Sequence, residues 1–310
     1  MVSREQIAEA AALIRSGGVV AFPTETVYGL GANALDPAAV NRIYAIKERP
    51  KTSPLIVHVS SINMARDLVT NWPDSAELLA NAFWPGPLTL VLPKSHKIPS
   101  ELTAGLDTVG LRMPAHPVAL ALIEESGLPI AAPSANRFTQ LSPTTAQHVA
   151  DGLGQAVDMI LDGGPTEVGI ESTVLSLAGS QPILLRPGMV TREAIEAHLG
   201  PILLLENTGD AHASPGLHAK HYSPRTPLYL LDPDQPLPTN GAGIYLHWSS
   251  PREGAASQAM PHHPAQYAAI LYDTLHQVDL VGCDWIAVEA PPAGSAWAGI
   301  LDRLKRASIR

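Results

Sequence analysis

The sequence predicts an α/β protein, a mixed sheet with helices between its strands followed by a smaller α/β unit. Short apolar runs flanked by turn residues alternate with stretches of helical periodicity. The chain has 310 residues, more than the roughly 100–200 of one domain. Regular patterning lapses once, from Glu206 to Thr226, and then resumes.

The elements follow in order. Ser3-Arg4-Glu5-Gln6 fits a capping box, and Ile7, Ala11 and Ile14 share one helical face until Gly17-Gly18 stops the helix. A strand follows over Val19–Phe22. Asp36-Pro37 reads as an N-cap with proline at the first helical position, and Val40, Ile43 and Tyr44 form the apolar face of a second helix. Apolar runs place further strands near Leu55–Val59, Leu88–Leu92, Thr108–Met113, Ile130–Ala132, Met159–Leu161, Ser172–Leu177 and Ile183–Arg186, and Ser142-Pro143 is expected to cap a helix. The turn-rich stretch with Asn207-Thr208-Gly209-Asp210, Ser214-Pro215-Gly216 and Ser223-Pro224 reads as a connection between domains. Beyond it, strands near Leu228–Leu231, Gly243–Leu246 and Trp285–Val288 alternate with a helix carrying Tyr267, Leu271 and Leu275 and another carrying Trp297, Ile300, Leu301 and Leu304.

Composition narrows the function. Hydrophobic residues make up 45% and charged residues 16%, which excludes a disordered chain. The net charge is −9, with thirteen cations against nineteen carboxylates up to Leu205 and seven against ten after it. Neither part is a basic nucleic-acid module. The lone Cys283 excludes an internal disulfide and a cysteine-based zinc site. With no run of about 18 apolar residues and charges at Arg4, Glu5 and Glu9, no membrane span or signal peptide is expected, and the cytoplasm is the expected location.

Several segments could carry chemistry. Pro23-Thr24-Glu25-Thr26-Val27-Tyr28-Gly29-Leu30-Gly31-Ala32-Asn33-Ala34 runs from a strand into a loop rich in hydroxyls and glycines. Its glycines loosely match a dinucleotide fingerprint, but the helix starts only at Asp36-Pro37, and turn glycines explain them better. No Gly-x-x-x-x-Gly-Lys-[Ser/Thr] occurs, so a P-loop is excluded. Lys47-Glu48-Arg49-Pro50-Lys51, next to Thr52-Ser53, is the densest basic cluster of the acidic first part; it could seat a polyanion or merely complement a helix end. Arg112 lies within an apolar strand and needs an anion, either a structural carboxylate or that of a ligand. Ala131-Ala132-Pro133-Ser134-Ala135-Asn136 leaves a strand as small polar residues, which could hold a ligand at the strand end or serve only capping and turn chemistry. Glu171-Ser172-Thr173-Val174 and Leu185-Arg186-Pro187-Gly188 set polar or cationic residues at strand margins. His218 and His221 without nearby carboxylates or thiols make a poor zinc set, His262-His263 reads as solvated loop, and no hydrolase triad is recognisable.

Taken together, Pro23-Thr24-Glu25-Thr26-Val27-Tyr28-Gly29-Leu30, Lys47-Glu48-Arg49-Pro50, Ser134-Ala135-Asn136, Glu171-Ser172-Thr173-Val174 and Leu185-Arg186-Pro187-Gly188 strongly resemble the L-threonylcarbamoyladenylate synthase family, the YrdC-like enzymes. Ser214-Pro215-Gly216-Leu217-His218-Ala219-Lys220-His221-Tyr222-Ser223-Pro224 resembles the connecting segment of its long form. The resemblance implies a YrdC-like twisted mixed open sheet with a concave active site over 1–205, a linker and lid over 206–227, and a small Rossmann-like α/β domain over 228–310. It implies condensation of L-threonine, bicarbonate or CO₂ and ATP into threonylcarbamoyl-AMP and pyrophosphate, with Mg²⁺ on the phosphates and downstream transfer machinery modifying tRNA. Threonine would be held by Thr26, His58, Arg112, Ala132 through its backbone, and Ser172. ATP would lie against Arg49, Ser53, Thr108, Ser134, Asn136, Ser142, Arg186 and Tyr222, with Lys47 and Arg49 the catalytic cations. No protein metal ligands are implied. Glu48, inside the Lys-x-Arg motif, would dilute the field unless its side chain points outward. The alternatives are an RNA-binding or regulatory protein using Lys47, Arg49 and Lys51 on the same sheet, and, on the glycines alone, a nicotinamide-dependent oxidoreductase.

Overall fold

The computed structural model describes residues 2–205 and 221–308. The expected connection therefore lies outside the described residues from Glu206 to Lys220, including Ser214 to Ala219 with His218. Its last part, from His221 to Thr226, is described.

The helix-strand order begins α1 (Arg4–Arg15), β1 (Val20–Phe22), β2 (Gly29–Asn33), α2 (Pro37–Lys47), β3 (Ile56–His58), α3 (Ile62–Arg66), α4 (Asp74–Phe83), β4 (Leu88–Pro93), α5 (Ser100–Thr103) and β5 (Thr108–Arg112). It continues α6 (Pro117–Ser126), β6 (Ile130–Ala131), α7 (Ala146–Leu153), β7 (Met159–Ile160), β8 (Thr173–Ser176), β9 (Ile183–Arg186), α8 (Arg192–Leu199) and β10 (Leu203–Leu204). After the connection come β11 (Leu228–Leu231), β12 (Gly243–His247), β13 (Ala256–Ala259), α9 (Pro264–Val281), β14 (Trp285–Glu289) and α10 (Ser295–Ala307).

The first ten strands form one open sheet in the order β10-β9-β8-β4-β5-β3-β6-β2-β1-β7. Its pairing is mixed: β3/β5 and β4/β8 run parallel, β1/β2, β3/β6 and β4/β5 antiparallel. β1 shows how the sheet is built into two layers. Val19 and Ala21 enter the larger core with Val40, Ile43 and Tyr44 of α2, whereas Val20 and Phe22 join α1 and α6 through Ala10, Ile14, Leu122 and Ile123. That is the period-two alternation of a strand buried on both faces. The last four strands form a second, wholly parallel sheet, β11-β14-β12-β13. Tyr267, Leu271, Leu275, Ile300 and Leu304 of α9 and α10 pack on one face of it. No helix among the described residues is long and apolar enough to cross a membrane.

Local signals hold where they are chemically specific. Ser3 and Gln6 form the reciprocal capping box, and Asp36 accepts from Ala38 N ahead of Pro37. Three expectations change. Gly29–Asn33, read as loop, is a strand between β1 and β6, because small residues fit the tight space there; a Cβ on Gly31 would lie 2.5 Å from the Phe22 ring. Ser142 does not cap a helix, since α7 starts later on Thr145, whose hydroxyl accepts from His148 N. The strands β10 and β13 carry no signal in the sequence, because one has two residues and the other, Ala-Ser-Gln-Ala, is an edge without apolar alternation.

Candidate active site

One cavity opens at the ends of β3, β5 and β6 and beside the approach to β8. Thr26, His58, Arg112, Ala132 and Ser172, the five residues expected around an amino acid, all line it, as do Arg49, Ser134, Arg186 and Tyr222 from the nucleotide set. Sheet order explains the convergence, because β5, β3 and β6 are neighbours, with register pairs His58–Arg112 and His58–Ile130. Residues far apart in sequence thus end at one strand margin.

Arg112 resolves its sequence dilemma by having a structural partner and remaining free to take another. Its Nη2 lies 2.8 Å from Glu25 Oε1, both side chains being about 95% buried. The pair is an ion contact without hydrogen-bond alignment, so Arg112 Nε and Nη2 retain unclaimed hydrogens beside the cavity. Glu25 is itself anchored by Ala115 N at 3.0 Å. Next to them, burial first and the Arg112 charge second push the His58 imidazole well below its ordinary value, so it is neutral, and its Nδ1 has no partner. Thr26 meets the Thr24 hydroxyl at 2.9 Å. The Ala132 N–H is engaged by Ile56 O at 2.9 Å.

In the same lining, Arg49 is buried over the Phe138 ring and donates to the Ser53 carbonyl and hydroxyl and to Pro54 O. Burial lowers it to about 10, which leaves it cationic at neutral pH. Arg186 donates to Ser172 O from Nε at 3.1 Å and from Nη2 at 3.0 Å, and to Ser172 Oγ at 3.2 Å. Ser172 Oγ also meets Thr89 Oγ1 at 2.8 Å. Tyr222 is 1% exposed, at φ 61°, with its hydroxyl unpartnered. Burial and then Glu171 raise its pKa, so the phenol stays protonated as a donor.

Other expected residues lie outside the lining. Lys47 is 1% exposed and donates to Ser134 O at 2.6 Å and Asn136 O at 2.5 Å. Burial first and Arg49 next push its ammonium well below its ordinary value. It therefore ties α2 to the 134–136 segment and does not face the cavity. Asn136 Nδ2 bonds Arg137 O and Gln140 O and borders a different hollow. Ser53 sits behind Arg49. Ser142 donates to Glu171 Oε1. Thr108 pairs opposite Pro93 at the start of β5, four residues and about 13 Å from Arg112. The Glu48 side chain does point outward, 70% exposed and paired with Arg137. Of the three cations offered to the RNA-binding alternative, Lys47 and Arg49 are buried and Lys51 alone is exposed.

The polar lining residues that the sequence does not single out as site members are Thr24, His221 and Glu171. Glu171 stood in a quoted motif, but its partners, Ser142, Tyr272 and Arg303, come from distant sequence. Burial raises its pKa, yet Arg303, Arg186 and the Ser142 hydrogen bond outweigh burial, and the group is held below the ordinary carboxylate value. It is a poor base for that reason. Among the described residues no three acidic, imidazole or thiol groups converge as a metal site.

Comparison with known proteins bears on the family and the fold. Residues 12–188 match the family model described as "Telomere recombination", shared by Sua5, YciO and YrdC proteins, and residues 190–308 match "Threonylcarbamoyl-AMP synthase, C-terminal domain". The chain is 45% identical to the threonylcarbamoyl-AMP synthase of Bacillus subtilis, over 98% of this chain and 93% of that one, and 40% identical to that of Pyrococcus abyssi, over 98% and 96%. A crystal structure of the P. abyssi Sua5 protein complexed with L-threonine superposes with a TM-score of 0.92 at 39% identity, covering 99% of this chain and 95% of that one. By sequence along nearly its full length and by fold, the chain belongs to the Sua5/YrdC family of threonylcarbamoyl-AMP synthases.

Proposed function

We propose that this cavity binds L-threonine and ATP side by side and joins them, through bicarbonate or CO₂, into threonylcarbamoyl-AMP with release of pyrophosphate. The observation that supports this most directly is that a carboxylate-ready cation, Arg112, and two phosphate-ready cations, Arg49 and Arg186, line one hollow. The threonine carboxylate pairs with the free hydrogens of Arg112, and its hydroxyl and amine fall within reach of Thr26, Ser172, the neutral His58 and the Ala132 carbonyl. The triphosphate lies against Arg49 and Arg186 with Ser134 and the Tyr222 hydroxyl alongside. Ser53 and Lys47 act through what they hold, the first behind Arg49 and the second under Ser134. Thr108, Asn136 and Ser142 would reach the nucleotide only if their segments shift.

The chemistry needs little from side chains. The neutral amine of threonine attacks CO₂ and gives up a proton to solvent to form a carbamate, a carbamate oxygen attacks the α-phosphorus, and pyrophosphate leaves with the electron pair of the broken P–O bond. Both new bonds join substrate atoms, so the protein contributes alignment and charge dispersal. Tyr222, arriving from the connection between the two sheets, closes one side of the hollow and limits water that would hydrolyse the carbamate. Mg²⁺ suits phosphate oxygens better than this protein's own groups, since Glu171, the carboxylate in the lining, has both oxygens engaged. When bound, it would neutralise phosphate charge. The cytoplasm is the proposed setting, and the product would pass to machinery that transfers the group to tRNA.

The decisive experiment incubates the protein with isotopically labelled bicarbonate, threonine, ATP and Mg²⁺ and weighs the product. Label in a threonylcarbamoyl adenylate, lost on chelation of Mg²⁺ or omission of threonine, is the expected outcome. Pyrophosphate release that ignores threonine would refute the assignment.

A further inference from the structure

The groups assigned to substrates so far come from the larger sheet and from the connection. Arg303, on α10 of the smaller unit, is 1% exposed and reaches across to both strand margins that carry Ser172 and Arg186. Its Nε donates to Glu171 Oε2 at 2.8 Å, its Nη2 to Glu171 O at 3.1 Å, and its Nη1 to Pro187 O at 3.0 Å. Tyr272 of α9 adds a hydroxyl to the same Glu171 oxygen at 3.1 Å. The guanidinium also lies 5.3 Å from the centre of the Tyr222 ring.

The surroundings are shaped for this reach. One turn before Arg303 on α10, Gly299 faces Gly188 so closely that a Cβ on it would lie 2.9 Å from Gly188 Cα. Gly169, at φ 77°, faces α9 as tightly, since a Cβ there would lie 2.2 Å from Ala268 O. The far end of α10 holds the connection as well: His221 N donates to Arg306 O at 3.1 Å and Ser223 Oγ to Ala307 O at 3.3 Å. One helix thus fixes residues 171, 187 and 221–223, which flank or include Ser172, Arg186 and Tyr222.

Electrostatics gives the arrangement a direction. Glu171 is the carboxylate lining the cavity, while Arg303 does not line it. An uncompensated anion there would repel an incoming triphosphate, and in a partly buried site such repulsion is worth far more than in water. Arg303 cancels that charge from behind, where it competes for no ligand.

We propose that Arg303 is a positioning residue for threonylcarbamoyl-AMP formation: by neutralising Glu171 from outside the cavity it keeps the site open to the triphosphate, making ATP affinity depend on the smaller unit. This rests on the assignment of the triphosphate to Arg49 and Arg186. A purely structural ion pair would change stability and leave substrate preference alone.

The test uses the full chain and its variants Arg303→Met, Glu171→Gln and Arg303→Met with Glu171→Gln, measuring KM for ATP and for threonine, kcat, thermal unfolding, and affinity for a non-hydrolysable ATP analogue by calorimetry. Arg303→Met is expected to raise KM for ATP about tenfold, with a smaller change for threonine. Adding Glu171→Gln should bring KM for ATP back to within about threefold of wild type. Lowered unfolding temperature with unchanged KM and analogue affinity would overturn the proposal, as would failure of the second substitution to restore ATP use. Should Arg303→Met not fold, Glu171→Gln alone decides: removing the negative charge must leave KM for ATP equal or lower, and a rise overturns the proposal. Wild-type protein assayed alongside separates the two levels, since its failure to release pyrophosphate in a threonine-dependent way strikes the assigned function, whereas normal wild-type activity with indifferent variants strikes only the role of Arg303.

Discussion

Arg186 grips Ser172 at both its carbonyl and its hydroxyl, at 3.0 to 3.2 Å. The cation assigned to the nucleotide and the hydroxyl assigned to the amino acid are thereby one rigid unit, and a displacement of either substrate-binding group is felt by the other. Ser172→Ala, which removes the hydroxyl and leaves the carbonyl, should therefore raise the requirements for both substrates by a few-fold. An effect confined to threonine, measured as separate KM values, would show that the two groups act independently.

Arg112→Ala should raise the threonine requirement far more than the ATP requirement. A charge-assisted contact to a carboxylate is worth roughly 1.5–3 kcal/mol, or about 10- to 150-fold in affinity. Titration of threonine at saturating ATP gives the comparison, and equal losses toward both substrates would remove Arg112 from the amino-acid side.

Tyr222→Phe separates the ring from the hydroxyl. The ring packs 5.9 Å from Tyr272 and over Arg303, while the hydroxyl has no protein partner. Phenylalanine should keep stability within about 0.5 kcal/mol and weaken ATP binding about fivefold, the worth of one hydrogen bond; Tyr222→Ala should weaken it further. Calorimetry with an ATP analogue checks this, and unchanged affinity in both variants would make the segment a passive tether.

Lys47→Met should act on folding. It deletes a buried ammonium bonded to two carbonyls, Ser134 O and Asn136 O, with a loss on the order of 3 kcal/mol in unfolding free energy. Urea unfolding measures it. Full stability with collapsed ATP affinity would mean that Lys47 turns to meet phosphate.

Acid should loosen the seam between α9 and residues 142–148. His276 stacks on His148 with ring centres 3.9 Å apart and meets Ser142 O at 3.1 Å through Nε2. Burial and then His148 lower it to about 4, against the partial opposition of Asp279 and Asp151, and His148, near Asp273, is lowered chiefly by burial. Between about 6.5 and about 4, the unfolded chain binds a proton that native His276 refuses, so stability falls as pH falls through that window and is flat above it. His276→Gln should flatten the decline between pH 7 and 5, and an unchanged slope would exclude this residue as its cause.

The capping box at Ser3, the Asp36-Pro37 start of α2 and the apolar runs that became β4, β5 and β9 are legible in the sequence because local chemistry and burial dictate them, while the motifs carried a family resemblance that implied an amino acid and a nucleotide as ligands. Period, caps and charge are written within a few residues of where they act, and are legible there. Which of the site residues meet is set by packing across the fold. Lys47 and Arg49 are two positions apart, yet α2 ends between them at the left-handed Glu48, so one cation turns to backbone carbonyls and the other to the cavity. Arg112 found Glu25 across 87 residues and Glu171 found Arg303 across 132, pairings that sheet order and the docking of α10 impose. A buried charge must have a partner, but nothing near it in the chain says which, because that choice is made by packing over distances no local pattern encodes.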